Sequence, residues 1–306
     1  MTSRILANPP APGTPEWAKI VTASKVPALL GVSRFTSQYA AWHQLAGLID
    51  VDMMDPDRAA WGHIAEASLA DWWLHKHPGW QLNVARRGTK EIAYTNDDLP
   101  FPNLATIDRR ALNRKKGMSS PDRFHIVECK TAMTLDDWGR PGEENAVPAD
   151  YFTQVLYQMG VSGIHHASIV VLGPFSEPEI HEIEWREDLF AALVDQLAEI
   201  YVSTKTGEAP DLDDSLSTYE TVRGLHPDID PEAEVQLDHA QAVAWLDAIV
   251  GADEAARAAQ LAKTELADLM GNAKYARVGT TKIADRRSRS GKPPYVQFNK
   301  KADLAV

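Results

Sequence analysis

The chain has 306 residues, 44% of them hydrophobic, and a formal net charge of −12, which is enough length for one sizeable core with an appendage. No apolar run reaches membrane-spanning length, the Pro/Ala-rich start from Met1 to Pro15 lacks the pattern of a signal peptide, and the single cysteine, Cys129, excludes an intrachain disulfide or a cysteine-cluster metal site; a cytoplasmic protein without membrane contact is expected. Charge is segregated: Thr206 to Glu254 hold thirteen acids against Arg223 alone, and Asn272 to Lys301 hold nine bases against Asp285, so the overall acidity hides a basic segment suited to a polyanion.

Thr22-Ala23-Ser24-Lys25 predicts a helix start, with Thr22 or Ser24 as N-cap, Val26, Leu29 and Leu30 as its apolar face and Gly31 as its stop. A second helix is expected over Phe35 to Ile49, with Tyr39, Trp42, Leu45 and Ile49 at core spacing. Asp55-Pro56 starts a third, running to about His75 before Pro78-Gly79, with Trp61, Ile64, Ala65, Leu69, Trp72 and Trp73 as a broad buried face. Glu66 sits in that apolar neighbourhood, where a carboxylate is costly unless it is exposed or paired with a cation, so it is expected to face metal. His63, His75 and His77 read as surface or core residues, because no neighbours in sequence complete a ligand set.

Gln81 to Val84 and Ile92 to Tyr94 read as short strands leading to Leu104 to Asp108. After a polar turn from Asn113 to Asp122, His125 to Ala132 is a second β-type segment, on which Glu128 and Lys130 share one face and Cys129 points back into the protein. If the two segments pair as a hairpin, Asp108 lies beside Glu128 and Lys130. Converging carboxylates repel unless a cation sits between them, and hard divalent ions take carboxylate and carbonyl oxygens; a lysine there can hold or polarise a water. The set suits metal-assisted phosphodiester hydrolysis, although an ordinary hairpin with charged ends fits the same residues. Arg109, Arg110, Arg114, Lys115 and Lys116, flanking the turn, are expected to contact phosphates.

Val147-Pro148 opens a helix to about Gly163, with Tyr151, Gln154 and Gln158 on one side and Val155 and Met159 packed. Ala167 to Leu172 reads as a buried strand, Glu179 to Trp185 as a more exposed one, and Leu189 to Tyr201 as an amphipathic helix. Pro210 to Asp238 reads as an acidic linker. Ala240 to Met270 is helical with an interruption at Gly251-Ala252-Asp253 and a seam of Leu261, Leu266 and Leu269, and Arg277 to Phe298 holds two short β runs around Arg286, Arg287 and Arg289. The expected division is a catalytic domain over 1–205, a linker over 206–238 and, over 239–306, a helical stalk with a small basic β-hairpin that grips duplex DNA.

The ordered series Trp61-Gly62-x-x-x-Glu66, Asp108, Glu128-x-Lys130 and Tyr151-x-x-Gln154-Val155-x-Tyr157-x-Met159 resembles the YqaJ-like viral recombinase family, the phage exonucleases related to lambda exonuclease within the PD-(D/E)xK nucleases. The resemblance implies an α/β fold with a restriction-endonuclease-like core, a central mixed β-sheet flanked by helices. It implies two Mg²⁺ per site, with Mn²⁺ as a substitute, held by Glu66, Asp108, Glu128 and the Cys129 backbone carbonyl, with Lys130 and Gln154 on the attacking water. It places Ser24 at the DNA terminal phosphate, where the alternative is helix capping, and Tyr151 against the helix or the substrate backbone. Lambda-type enzymes carry an arginine where this chain has Trp17-Ala18-Lys19, which departs from the pattern for a 5′-phosphate. The implied activity is 5′→3′ degradation of linear double-stranded DNA in phage-type recombination, with a single-strand annealing partner and a homotrimer. Alternatives are a structure-selective or nicking endonuclease, a non-cleaving DNA-binding protein, or a metal hydrolase with no nucleic-acid substrate.

Overall fold

In the computed structural model, which describes residues 2–50, 55–85, 90–174 and 177–304, the chain forms two units, Met1–Ile229 and Asp230–Val306. In chain order the first contains β1 (Ser3–Ile5), α1 (Pro15–Ala18), β2 (Val21–Thr22), α2 (Val26–Leu29), α3 (Gln38–Ala46), α4 (Pro56–Lys76), β3 (Trp80–Leu82), β4 (Ile92–Asn96), β5 (Asn103–Ile107), β6 (Arg109–Asn113), β7 (Phe124–Thr131), α5 (Ala149–Ser162), β8 (Ala167–Leu172), β9 (Glu179–Ile183), α6 (Glu187–Thr206) and α7 (Leu216–Leu225). The second contains α8 (His239–Met270), β10 (Tyr275–Val278), β11 (Thr281–Arg287) and β12 (Tyr295–Phe298).

The expected α/β class holds, with the strands of the first unit divided between two mixed sheets, in the orders β3-β6-β7-β8-β9 and β1-β4-β5-β2. β7 and β8 run parallel, from Ile126 opposite Ala167 to Thr131 opposite Leu172, as β-rich apolar runs covered on both faces do. The alternation along β7 explains how it is covered. Ile126 belongs to the main core with Val155, Leu156 and Met159 of α5, whereas Val127 belongs to a second cluster with Leu69 and Trp73 of α4, Ala111 and Val170. Helices α5 and α4 therefore lie on opposite faces of this sheet. α5 and α6 approach so closely at Gly160 that a Cβ there would collide with the Phe190 ring.

Several expectations need correction. The Pro/Ala-rich start contributes a strand that was not expected, Ser3–Ile5, which pairs at the edge with Tyr94–Asn96. The third helix starts where Asp55 accepts from the amides of Asp57 and Arg58, both at 3.0 Å, but its buried residues are Ala65, Leu69, Ala70 and Trp73, while Trp61 and Ile64 are 54% and 65% exposed because only the later turns pack on the sheet. Residues 216–225 of the expected linker form helix α7, and Thr218 donates to Ser37 at 2.8 Å, which ties that helix to the cap of α3. In the second unit α8 is continuous through Gly251, and Leu261 and Leu269 of the expected seam are exposed. The expected hairpin is a three-stranded antiparallel sheet, β10-β11-β12, in which Ala284 is buried.

Candidate active site

Asp108 occupies the one position between β5, in the four-stranded sheet, and β6, in the five-stranded sheet. The strand that pairs with β7 is thus β6, Arg109 lying opposite Val127, and Asp108 meets β7 just past that ladder. Its Oδ2 accepts the Cys129 amide at 2.7 Å. The N–H and C=O of a strand residue leave the same edge, so the Cys129 carbonyl also faces the Asp108 side.

Glu128, 2% exposed, points to the α5 face, as the parity of β7 requires. Its Oε1 accepts from Lys130 Nζ and from Gln154 Nε2, each at 2.7 Å, and its Oε2 accepts from Gln158 Nε2 at 2.9 Å. Lys130 also reaches Gln154 Oε1 at 3.3 Å and lies 5.5 Å from the Tyr151 ring centre. The same Tyr151 ring has the Arg34 guanidinium at 5.2 Å, and Arg34 is fixed by Asp150 at 2.9 Å and Asp137 at 3.2 Å. Gln158 was legible as a neighbour of Gln154 on one helix face, but its part in holding Glu128 was missed. Its Nε2 is also bonded to the Thr106 carbonyl at 3.0 Å, and its buried Oε1 has no hydrogen-bond partner among the described residues.

The electrostatics follow from crowding. Burial, then the charge of Glu128, raises the Asp108 carboxyl well above the ordinary carboxylate range. Burial works to lower the Lys130 ammonium, but the charges of Glu128 and Asp108 outweigh it and hold the group above its usual value, so it is a fixed cation. Burial raises the Cys129 thiol, which is therefore inert as a nucleophile.

Glu66 approaches from α4 on the other face. Its Oε1 is paired with Arg109 Nη1, and its Oε2 lies 3.6 Å from His63 Nδ1. Arg109 is 4% exposed and also donates to the Asp108 carbonyl at 2.6 Å. This corrects its expected phosphate contact. The basic run is a strand, and the side chain opposite Val127 must point at α4 rather than at solvent. Arg110 faces the other way, donating to the Tyr94 hydroxyl at 3.0 Å and covering the Phe124 ring at 4.6 Å. The exposed Arg114, Lys115 and Lys116 lie beyond the far end of β6, about 20 Å from Asp108 at about 3.3 Å per residue, so they are not adjacent to the acid.

Glu66, Asp108 and Glu128 thus gather at one end of the sheet, close enough for Asp108 to feel both other charges. They do not converge as a closed triad. Arg109 and Lys130 stand as counter-charges beside the outer two. Among the described residues, the group of three whose donor atoms lie within 4.8 Å of one another is His63, Glu66 and Glu91. Sequence reading took His63 as a surface or core residue and passed over Glu91, because their proximity depends on the segment before β4 reaching α4.

Ser24 caps nothing: α2 has no side-chain cap, and the exposed Ser24 hydroxyl shares a 3.0 Å hydrogen bond with Thr22. Parallel pairing of β2 with β5 sends Ser24 toward the Asp108 end. Lys25 turns inward, its Nζ donating to the carbonyls of Trp17, Ala18 and Ile20 at 2.7, 2.8 and 3.0 Å, and burial lowers it to about 7. In the second unit, Arg286 bonds the Gly271 carbonyl, Arg287 bonds Asp285 at 2.7 Å, and Arg289 lies 5.6 Å from the Tyr295 ring centre.

The model of the YqaJ-like viral recombinase domain matches residues 17–165. No curated protein matches the chain. Similar solved structures include an alkaline exonuclease (LHK-Exo) from Laribacter hongkongensis, 14% identical over 64% of this chain and 94% of that one, with a TM-score of 0.43. Its complex with dAMP is 16% identical over the same shares, with a TM-score of 0.44. SSO0001 is 12% identical over 71% of this chain and 88% of that one, with a TM-score of 0.34. Among the described residues, no helix is long and apolar enough to cross a membrane.

Proposed function

We propose, from the premise that residues 17–165 are a YqaJ-like viral recombinase domain, that this chain is a metal-dependent DNA exonuclease that degrades one strand of linear duplex 5′→3′ in phage-type recombination. The observation that carries the reading is the meeting of the β5–β6 join with β7: Asp108 bonded to the Cys129 amide, with Glu128 and Lys130 paired on the adjoining face.

The donor set fits a hard divalent ion. Asp108, Glu128 and the Cys129 carbonyl offer oxygens from two adjoining segments, and the orphaned Gln158 Oε1 marks a buried acceptor close to them. Those groups would hold one Mg²⁺, and Glu66 with Asp108 a second. Bound there, the ions supply Lewis-acid stabilisation of a phosphorane and of a departing 3′-oxygen. The chain's own residues do the rest. Lys130, kept charged by Glu128 and Asp108, orients the attacking water and neutralises charge gathering on the phosphate. Gln154, bonded to both Glu128 and Lys130, fixes their spacing. Tyr151, with Arg34 and Lys130 near its ring, is a rigid wall for the substrate backbone. Ser24 supplies a hydroxyl at a DNA end, and the nine bases of 272–301, Arg286, Arg287 and Arg289 among them, contact duplex phosphates. A trimer and a single-strand annealing partner accompany this role.

The deciding experiment labels each strand of a blunt duplex, with and without a 5′-phosphate, in Mg²⁺. The reading expects mononucleotides released from 5′ ends and closed circles left intact. Nicking of closed circles would instead favour a structure-selective endonuclease, for which Trp17 to Lys19 in place of an arginine is the motivating feature.

A further inference from the structure

His63 and Glu66 lie one turn apart on α4, and Glu91 reaches them from the chain just before β4. Their nearest donor atoms are all within 4.8 Å of one another. Ligands held about 2.1 Å from a common ion are separated by about 3.0–3.5 Å, so small side-chain rotations close the set. His63 Nδ1 and Glu66 Oε2 already stand 3.6 Å apart.

The two oxygens of Glu66 are divided in a way that frees this approach. Oε1 is taken by Arg109 on the inner side, which leaves Oε2 as the oxygen turned to His63. Glu91 adds a second carboxylate to the same spot. Exposed His63 supplies an imidazole nitrogen on the solvent side of the two acids. One imidazole with two carboxylates suits a first-row transition dication, while an all-oxygen set suits Mg²⁺.

We infer that His63, Glu66 and Glu91 form a binding site for a transition-metal dication, filled by Mn²⁺ in preference to Mg²⁺, on the α4 side of the acid cluster. It deepens the nuclease reading, on which it rests only for its catalytic meaning. Glu66 is then a ligand shared between the outer ion and the site at Asp108, and the preferred metals of the two positions differ.

The test is Mn²⁺ binding to the full, untagged chain without DNA, followed by electron paramagnetic resonance, with ¹⁴N modulation of the bound ion reporting imidazole ligation. The expected result is ¹⁴N modulation in the unaltered chain and in Asp108→Asn, its loss in His63→Ala, and an affinity at least tenfold weaker in His63→Ala and Glu91→Gln. A hundredfold excess of Mg²⁺ should not displace the nitrogen-ligated ion. Unchanged ¹⁴N modulation in His63→Ala, unchanged affinity in both variants, or full displacement by Mg²⁺ overturns the assignment. Cleavage of labelled duplex by the same preparations is scored separately. An inactive chain that still binds Mn²⁺ through His63 ends the nuclease reading and leaves the ion site standing.

Discussion

Glu128 and Glu66 are both acids recessed at the same end of one sheet, yet they are held in opposite ways. Glu128 faces α5 and receives one ammonium and two amides, all from strand or helix positions fixed by the main core. Glu66 projects from α4 on the opposite side, receives one guanidinium on its inner oxygen, and turns its other oxygen to an exposed imidazole. The lesson is that the α5 side is preorganised and the α4 side adjustable. A buried carboxylate with three donors keeps its geometry whatever occupies the cleft, while one with a single ion pair keeps its second oxygen for a metal.

The sharpest way to break this comparison is Lys130→Ala. Removing the ammonium should lower DNA cleavage by about a thousandfold, within the range typical of a lost proton-transfer or charge-stabilising group, with duplex affinity retained; a gel assay for cleavage and a binding titration separate the two. Next is Gln158→Leu, a near-isosteric change that leaves Glu128 Oε2 without its amide donor. Partners of this kind typically contribute 10- to 100-fold in activity, and a loss of about that size in kcat, with the thermal midpoint nearly preserved, is expected. On the α4 side, Arg109→Ala should cost about 3 kcal/mol of stability, because it leaves a buried carboxylate unpaired, and added Mn²⁺ should restore part of it; chemical denaturation with and without the ion measures both.

Two smaller effects test the periphery. Replacing Arg286, Arg287 and Arg289 together by alanine should flatten the dependence of log affinity on log salt by about 1 to 3, at about 0.9 per lost phosphate contact, without changing the cleavage rate at saturating DNA. The smallest effect concerns pH. His125 hydrogen-bonds Ser168 at 2.6 Å and is lowered by burial to about 3 from an ordinary 6.5. Between those values the unfolded chain binds a proton that the native one refuses, so stability falls as pH drops through that window. Denaturant midpoints at pH 7 and pH 4.5 should differ less in His125→Gln than in the unaltered chain.

How far the sequence could be read depended on whether local pattern or long-range pairing decides a residue's surroundings. The strand of Glu128 and Lys130, the helix of Gln154 and the start of α4 at Asp55 carry their own periodicity and caps, and they stand where that periodicity puts them. Arg109 was misplaced because a basic run reads as solvated turn, and only the ladder with Val127 reveals that alternate side chains are buried. Trp61 and Ile64 continue the apolar stripe of α4 past the last strand that could cover it. Glu91 carries no signal at all in sequence, since its partners sit more than two dozen residues earlier.

Asp108 is the lone step by which the backbone leaves one sheet and enters the other. Gaining or losing a single amino acid in Asn103–Ile107 or Arg109–Asn113 would swing its carboxyl to the wrong side while every strand could still find a neighbour. Such a frameshift in space would produce a folded, inert protein. This seam is thus constrained in residue count rather than in side-chain identity.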